Sequence, residues 1–232
     1  EIHRMNRVIE EYLYPAMEDF RLDIMLDSGP AARSVNLPLR PFTLVGATTR
    51  SGLLSSPMRD RFGLHCHLEL YSEKEIREIL KRSSRILKID ITEEAAITLS
   101  SRCRGTPRIA NRVLRRCRDV AQVRGNGIID KIAAEKTLEM LGIDSEGLDP
   151  MDRKILSVVI DKFNGGPVGI NTLSAALNEE QNTIEEVYEP YLIQKGLLSR
   201  TPRGRVATQT AYRKMQKTIP SSKMLEQEQF DF

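Results

Sequence analysis

The chain has 232 residues, 40% of them hydrophobic and 29% charged, which exceeds one ordinary core and predicts two or three small modules. No apolar run approaches the roughly 20 residues of a membrane-spanning helix. Nothing at the start resembles a signal peptide, and three cysteines without a CxxC pair give no support to a disulfide framework or zinc knuckle, so a reducing cytosol fits. A net charge of only +3 does not announce a nucleic-acid partner, but arginines crowd residues 102–118 and 200–205 while residues 226–232 are acidic.

The first module, residues 1–71, mixes element types. A helix is expected over residues 8–17, then extended pieces at 22–26 and 33–39 around Asp27-Ser28-Gly29-Pro30, which together predict a hairpin. One arm places Val35 and Leu37 at period two. The apolar run Phe42-Thr43-Leu44-Val45-Gly46-Ala47 predicts a buried strand. His65-Cys66-His67 invites a metal reading, but on an alternating strand the histidines share a face with Cys66 opposite and no third ligand is evident. A structural role is expected for them.

The second module, residues 72–144, opens on Ser72-Glu73-Lys74-Glu75, a capping box. Ile76, Ile79, Leu80, Ser83 and Leu87 share one face of the helix that follows. Thr92 caps a second helix reaching Leu99, a third covers residues 108–123 and stops at Gly125-Asn126-Gly127, and a fourth covers 130–141. The third module, residues 145–220, enters a helix at Asp149-Pro150 with Ile155, Val158, Val159 and Phe163 as its stripe, stopped by Gly165-Gly166-Pro167. Helices are expected over 171–177 and, capped by Asn182 or Thr183, as far as Lys195, with Gly196 closing it. Extended arms at 197–200 and 205–208 flank Thr201-Pro202-Arg203-Gly204. Three helices followed by a hairpin is the pattern of a winged helix. Residues 221–232 are expected to form a flexible tail.

Several stretches could carry chemistry. Thr43-Leu44-Val45-Gly46-Ala47-Thr48-Thr49-Arg50 is an apolar run ending abruptly in hydroxyls, and Ser56-Pro57-Met58-Arg59-Asp60-Arg61-Phe62-Gly63 offers paired guanidiniums. Gly105-Thr106-Pro107-Arg108-Ile109-Ala110-Asn111-Arg112 puts a cation in the first turn of a helix, unfavourable with the helix dipole unless an anion is nearby. Ser199-Arg200-Thr201-Pro202-Arg203-Gly204-Arg205 gathers three guanidiniums without an aromatic, which suits phosphate contact without base reading. With Glu1-Ile2-His3-Arg4, Leu13-Tyr14-Pro15-Ala16-Met17-Glu18-Asp19, Gly29-Pro30-Ala31-Ala32-Arg33 and Gly165-Gly166-Pro167-Val168-Gly169, these stretches resemble the RuvB family of AAA+ ATPases over residues 1–215.

The resemblance implies an α/β plus all-α chain: the remnant of a AAA+ large ATPase domain, a helical lid and a C-terminal winged-helix head. It implies catalytic roles for Glu1, the second carboxylate of a Walker B strand, for Thr48, at the sensor 1 position, and for Arg61, a finger reaching a neighbouring subunit's γ-phosphate. Glu18, Asp19, Phe20, Arg61, Tyr71 and Arg108 are the nucleotide-bordering residues, with Arg108 binding in cis at the sensor 2 position. Arg200, Arg205 and Arg203 are the implied DNA contacts, and Val35 and Leu37 the dock for RuvA. The cofactors implied are ATP and Mg²⁺, with the main phosphate and metal ligands expected outside this sequence and no metal ligand within it. The 232 residues are therefore expected to be a fragment that does not hydrolyse ATP alone.

The activity implied is ATP-dependent DNA translocation driving Holliday-junction branch migration in recombination, repair and the SOS response. Its setting would be a homohexamer on double-stranded DNA with RuvA and RuvC, in the bacterial cytoplasm, with no membrane role. A winged-helix DNA-binding regulator would explain the head and leave the Arg61 and Arg108 segments idle. A clamp-loader-type AAA+ ATPase shares Glu1, Thr48 and Arg61 in kind but not the winged head with its arginine hairpin.

Overall fold

The computed structural model describes residues 1–25 and 34–220 and divides into two compact units, Glu1–Leu68 and Glu69–Phe232. The expected hairpin turn at 27–30 and the tail at 221–232 lie outside the described residues.

In the first unit, Asn6 caps α1 (Arg7–Asp19) by accepting the Val8 N–H, and Phe20 ends it in the left-handed conformation at φ 52°. The reversal leads into β1 (Arg21–Met25), which pairs antiparallel with β2 (Ser34–Pro38). Leu22 lies opposite Leu37 and Ile24 opposite Val35, so alternation gathers these four apolar side chains on one face. The other face carries the hydrogen bond from Asn36 Nδ2 to Asp23 Oδ1 at 2.8 Å. Ser55 caps α2 (Ser56–Asp60) by accepting the Met58 N–H, and Met58 and Ala16 are the buried apolar residues of this unit.

Two expectations fail here. The run 42–47 is no buried strand: it has no ladder partner among the described residues, and Val45 is 85% exposed. An apolar run becomes a strand only when neighbours satisfy its backbone. Among the described residues one backbone hydrogen bond reaches it, from the Ile2 N–H to the Ala47 carbonyl at 3.0 Å. His65-Cys66-His67 is exposed irregular chain, not an alternating strand, for the same lack of a pairing edge.

The second unit holds two helical groups, each with its own core. In the first, Ser72 and Glu75 form the reciprocal capping box that opens α3 (Glu73–Ile86). Thr92 caps α4 (Glu93–Ser100), Pro107 starts α5 (Pro107–Arg124), and Asp130 caps α6 (Lys131–Met140). Their facing positions, including Ile76, Leu80, Leu99, Val113, Leu114 and Leu138, make one buried cluster. Burial pushes the Cys103 thiol up to about 12 and the Cys117 thiol up to about 11, so both sulfurs act as small apolar fillers.

In the second group, Asp149 and Asp152 form a capping box at the start of α7 (Pro150–Ser157), which a π-helical turn, Val158–Lys162, extends. α8 (Ile170–Leu177) ends at Asn178 in the left-handed conformation, and α9 (Gln181–Thr183) runs through a second π turn, Ile184–Tyr188, into α10 (Glu189–Gln194). Asn182 and Thr183 lie inside this segment rather than capping it, because Asn178 stops α8 and Glu180, extended, starts the next helix earlier. β3 (Leu198–Thr201) and β4 (Gly204–Ala207) form the hairpin, and Val168 adds a bridge to Arg205 through two backbone hydrogen bonds of 3.0 and 2.8 Å. That close approach needs Gly166, where a Cβ would fall 2.2 Å from the Arg205 carbonyl oxygen. The unanticipated α11 (Gln209–Lys214), capped by Thr208, buries Ala211 and Tyr212.

Ser72→Ala removes the acceptor for the Glu75 N–H without touching the core. It is expected to cost about 1 kcal/mol, read as a lower urea midpoint for the transition that reports α3.

Candidate functional site

At the start of the first unit, Glu1 and the hydroxyls that end the apolar run come together. Glu1 Oε2 accepts the Thr49 N–H at 3.2 Å and the Thr49 hydroxyl at 3.4 Å, and His3 Nδ1 lies 3.2 Å from the same oxygen. The Thr49 N–H holds the Glu1 carboxyl below its ordinary range. His3 Nδ1 is also 2.7 Å from Thr48 Oγ1, which accepts the Arg50 N–H at 3.0 Å. The sequence placed Glu1 and Thr48 in this group but gave His3 no part. The imidazole, 7% exposed, is what ties the carboxylate to the hydroxyl. An anionic carboxylate beside a fixed hydroxyl can accept and orient a water molecule.

Arg61 follows the last turn of α2, where its direction is fixed by three contacts. Nη1 donates to the Pro57 carbonyl at 2.9 Å, Nη2 pairs with Glu18 Oε1 at 3.1 Å, and the guanidinium lies 4.2 Å from the Tyr14 ring centroid. Its Nε is buried without a hydrogen-bond partner among the described residues. Tyr14 is itself anchored, donating to Glu10 Oε1 at 2.8 Å, and Ser55 Oγ donates to the same oxygen. The Ser55 hydroxyl and then the Tyr14 hydroxyl hold the Glu10 carboxyl below its ordinary range. Glu18 therefore meets Arg61 directly, while Asp19 turns to Arg21 at 3.2 Å and Phe20 packs edge-on against Phe42 with centroids 5.9 Å apart. Neither Tyr14 nor Glu10 was assigned a role from the sequence, since a cation–π support leaves no spacing signal.

In the second unit, the Tyr71 N–H donates to the Gly105 carbonyl at 2.9 Å, and a Cβ on Gly105 would fall 2.6 Å from the Tyr71 carbonyl oxygen. The loop before α5 is thus laid on the Tyr71 backbone. Arg108, in the first turn of α5, is exposed and engages no hydrogen bond or ion pair among the described residues. Free guanidinium and unpaired helix N–H groups together fit an anion such as a nucleotide phosphate. Among the described residues no group of three or more His, Cys, Asp or Glu side chains could hold a metal ion.

The arginine hairpin separates its three cations. Arg203 is exposed and Arg200, 60% exposed, makes a 3.3 Å contact with Glu185. Arg205, expected beside them as a DNA contact, is turned inward instead and is 7% exposed. Its Nη2 lies 2.7 Å from Glu185 Oε1 and 3.2 Å from Glu189 Oε2, and its Nε donates to Glu189 Oε1. Burial works against its charge, but the Glu189 and Glu185 carboxylates outweigh that and hold its pKa above the ordinary arginine range. The physical reason is that Glu189, only 2% exposed, is a buried carboxylate that requires a cation. On the first unit's hairpin, Val35 and Leu37 are 38% and 43% exposed and share their face with Ile24, also 38% exposed.

Residues 1–68 match the family described as the Holliday junction DNA helicase RuvB P-loop domain, residues 71–144 the RuvB AAA lid domain, and residues 145–216 the RuvB C-terminal winged helix domain. The chain is 58% identical over 220 residues to the Holliday junction branch migration complex subunit RuvB of Myxococcus xanthus, with 95% of this chain and 64% of that protein aligned. It is 59% identical over 217 residues to the Flavobacterium psychrophilum subunit of the same name, covering 94% of this chain and 64% of that one. Among solved structures, the Thermotoga maritima RuvB Holliday junction branch migration motor is 49% identical with a TM-score of 0.82, covering 95% of this chain and 69% of that chain. The chain thus spans 64% of the length of these curated relatives.

Arg205→Ala is expected to destabilise the head by about 3–5 kcal/mol, because Glu189 is left buried and unpaired. Arg200→Ala, which removes an exposed pair, is expected to change stability by less than about 1 kcal/mol. Chemical denaturation of the two variants measures both.

Proposed function

Because the chain belongs to the RuvB family, we propose that the whole protein is an ATP-driven motor that moves double-stranded DNA through Holliday junctions. It works as a homohexameric ring with RuvA, and with RuvC as a further partner, in the bacterial cytoplasm during recombination, repair and the SOS response. The observation that carries this reading is Arg61: its guanidinium is aimed by Pro57, Glu18 and Tyr14 while its buried Nε lacks an acceptor among the described residues. A cation fixed in direction yet incompletely satisfied suits an anion supplied by a neighbouring subunit.

When bound, ATP with Mg²⁺ supplies the phosphoryl group whose transfer to water drives the cycle. The chain's own side chains divide the remaining work. Glu1, held ionised by Thr49 and linked through His3 to Thr48, orients the attacking water and accepts its proton. Arg61 offsets negative charge developing at a neighbour's phosphoryl oxygens. Glu18, Asp19 and Phe20 border that nucleotide at the end of α1, Glu18 by steering Arg61. Arg108 contacts phosphate in cis, with Tyr71 beneath its loop, so that occupancy of the site sets the position of α5.

At the head, Arg200 and Arg203 meet DNA phosphates. Arg205 shapes the hairpin from inside and shares Glu185 with Arg200, so a phosphate entering beside Arg200 competes with that carboxylate. The apolar face of Leu22, Ile24, Val35 and Leu37 is the dock for RuvA, since an exposed apolar sheet face calls for a cover. A DNA-binding regulator would use the head alone and leave the aimed Arg61 without an acceptor.

Arg61→Ala in the full-length protein is expected to leave ATP affinity unchanged and lower turnover by about 10³-fold or more; near-parental turnover in a steady-state assay removes Arg61 from this role. The double variant Arg200→Ala/Arg203→Ala is expected to weaken duplex binding equally for unrelated sequences. Its log–log salt dependence should flatten by about one unit per lost phosphate contact, measured by fluorescence anisotropy across a salt series.

A further inference from the structure

Arg104 immediately precedes the glycine that rests on Tyr71, in the loop that leads into α5, four residues before Arg108. Its backbone is left-handed at φ 55°, a conformation costly for arginine, and its side chain is 9% exposed. The guanidinium crosses from the first helical group to the second. Nη2 binds Asp152 Oδ2 and lies 3.1 Å from Asp149 Oδ2, and Nε donates to the Gly147 carbonyl at 3.0 Å. Those two carboxylates are the capping box of α7. The Arg104 guanidinium also lies over Tyr191, 4.5 Å from the ring centroid, and the Tyr191 hydroxyl donates to the Glu146 carbonyl at 2.5 Å.

Tyr191 belongs to α10, and two residues earlier on that helix Glu189 holds Arg205 of β4. A continuous series of contacts therefore runs from the Arg108 loop through Arg104, Tyr191, Glu189 and Arg205 to the hairpin bearing Arg200 and Arg203. Each link is a charge pair, a cation–π contact or a step along one short helix. No part of it is an exposed surface pair that side-chain motion would average out.

We propose that Arg104 is a positioning residue that transmits the state of the nucleotide-facing loop to the DNA-gripping hairpin. The inference rests on the motor reading above, in which Arg108 senses nucleotide and Arg200 and Arg203 hold DNA. A guanidinium clamped on the α7 cap and on α10 at once makes the loop's displacement a displacement of the head, because neither contact tolerates slippage without exposing a buried charge.

The test uses the full-length protein and a fluorescein-labelled duplex of arbitrary sequence. Duplex affinity is measured with and without a non-hydrolysable ATP analogue, and the ratio is the coupling. The parent is expected to show a ratio of about fivefold or more. In Arg104→Gln the ratio falls toward one, while analogue affinity, nucleotide-free duplex affinity and basal ATP turnover stay near parental values. A residue that merely stabilised the fold would lower the melting temperature and leave the ratio unchanged; that result overturns the proposal. Should Arg104→Gln fail to fold, Arg104→Lys keeps a cation beside Asp152 without the fork that reaches Gly147, and an intermediate ratio is expected. Full parental coupling in that folded variant also overturns the proposal. A parent that turns over ATP without coupling it to DNA affinity refutes the role of Arg104, whereas a parent without ATP turnover refutes the motor reading itself.

Discussion

A guanidinium taken out of water must find carboxylates already in place, since the penalty for each buried ion is several kcal/mol. The second unit is built around meeting that condition. Arg104 meets it on Asp149 and Asp152, which also cap α7, and Arg205 meets it on Glu189 and Glu185, which flank the turn into α10. The first helix of the head, its longest helical segment and its hairpin are thus positioned by the same ions that must be neutralised. Burial pushes the Asp152 carboxyl up to about 6, against the pull of the Asp149 N–H and of Arg104. Its charge persists because the arginine is there.

Arginine takes several jobs in this chain, and surroundings rather than sequence neighbours assign them. Arg61 is aimed by an aromatic face and a carboxylate, Arg108 stands exposed at a helix start, Arg200 and Arg203 face solvent, and Arg104 and Arg205 are internal. The planar fork suits each setting: it stacks, makes two-pronged contacts and cannot lose its charge.

Local chemistry was legible in the residues. The starts of α3, α4, α6 and α7 follow from Ser72, Thr92, Asp130 and Asp149, each of which accepts a backbone N–H of its own first turn. The apolar stripes that fill the two helical cores follow from spacing. Features set by distant partners were not legible. The run 42–47 has strand composition, but strand formation depends on neighbours beside it. Arg205 has the composition of a wing cation, but its direction is set by carboxylates 16 and 20 residues earlier. α11 carries too few apolar residues to show a period. At the candidate site, Glu1, Thr48 and Arg61 could be given roles from the motifs that hold them, while His3 and Tyr14, which orient them, acquire theirs only from contacts 45 residues and more away.

The π turn at Ile184–Tyr188 bears on how this segment can change over time. A π turn closes its hydrogen bonds five residues apart instead of four, so it widens the helix locally without breaking it. Glu185 and Glu189 are four residues apart, a spacing that puts them on one helix face, and both reach Arg205. Side-chain identity at Val187, 56% exposed, is free to drift. The two acids are not, because losing either leaves the buried Arg205 short of a partner, so this segment has latitude on its outer face and little on the one turned to the hairpin.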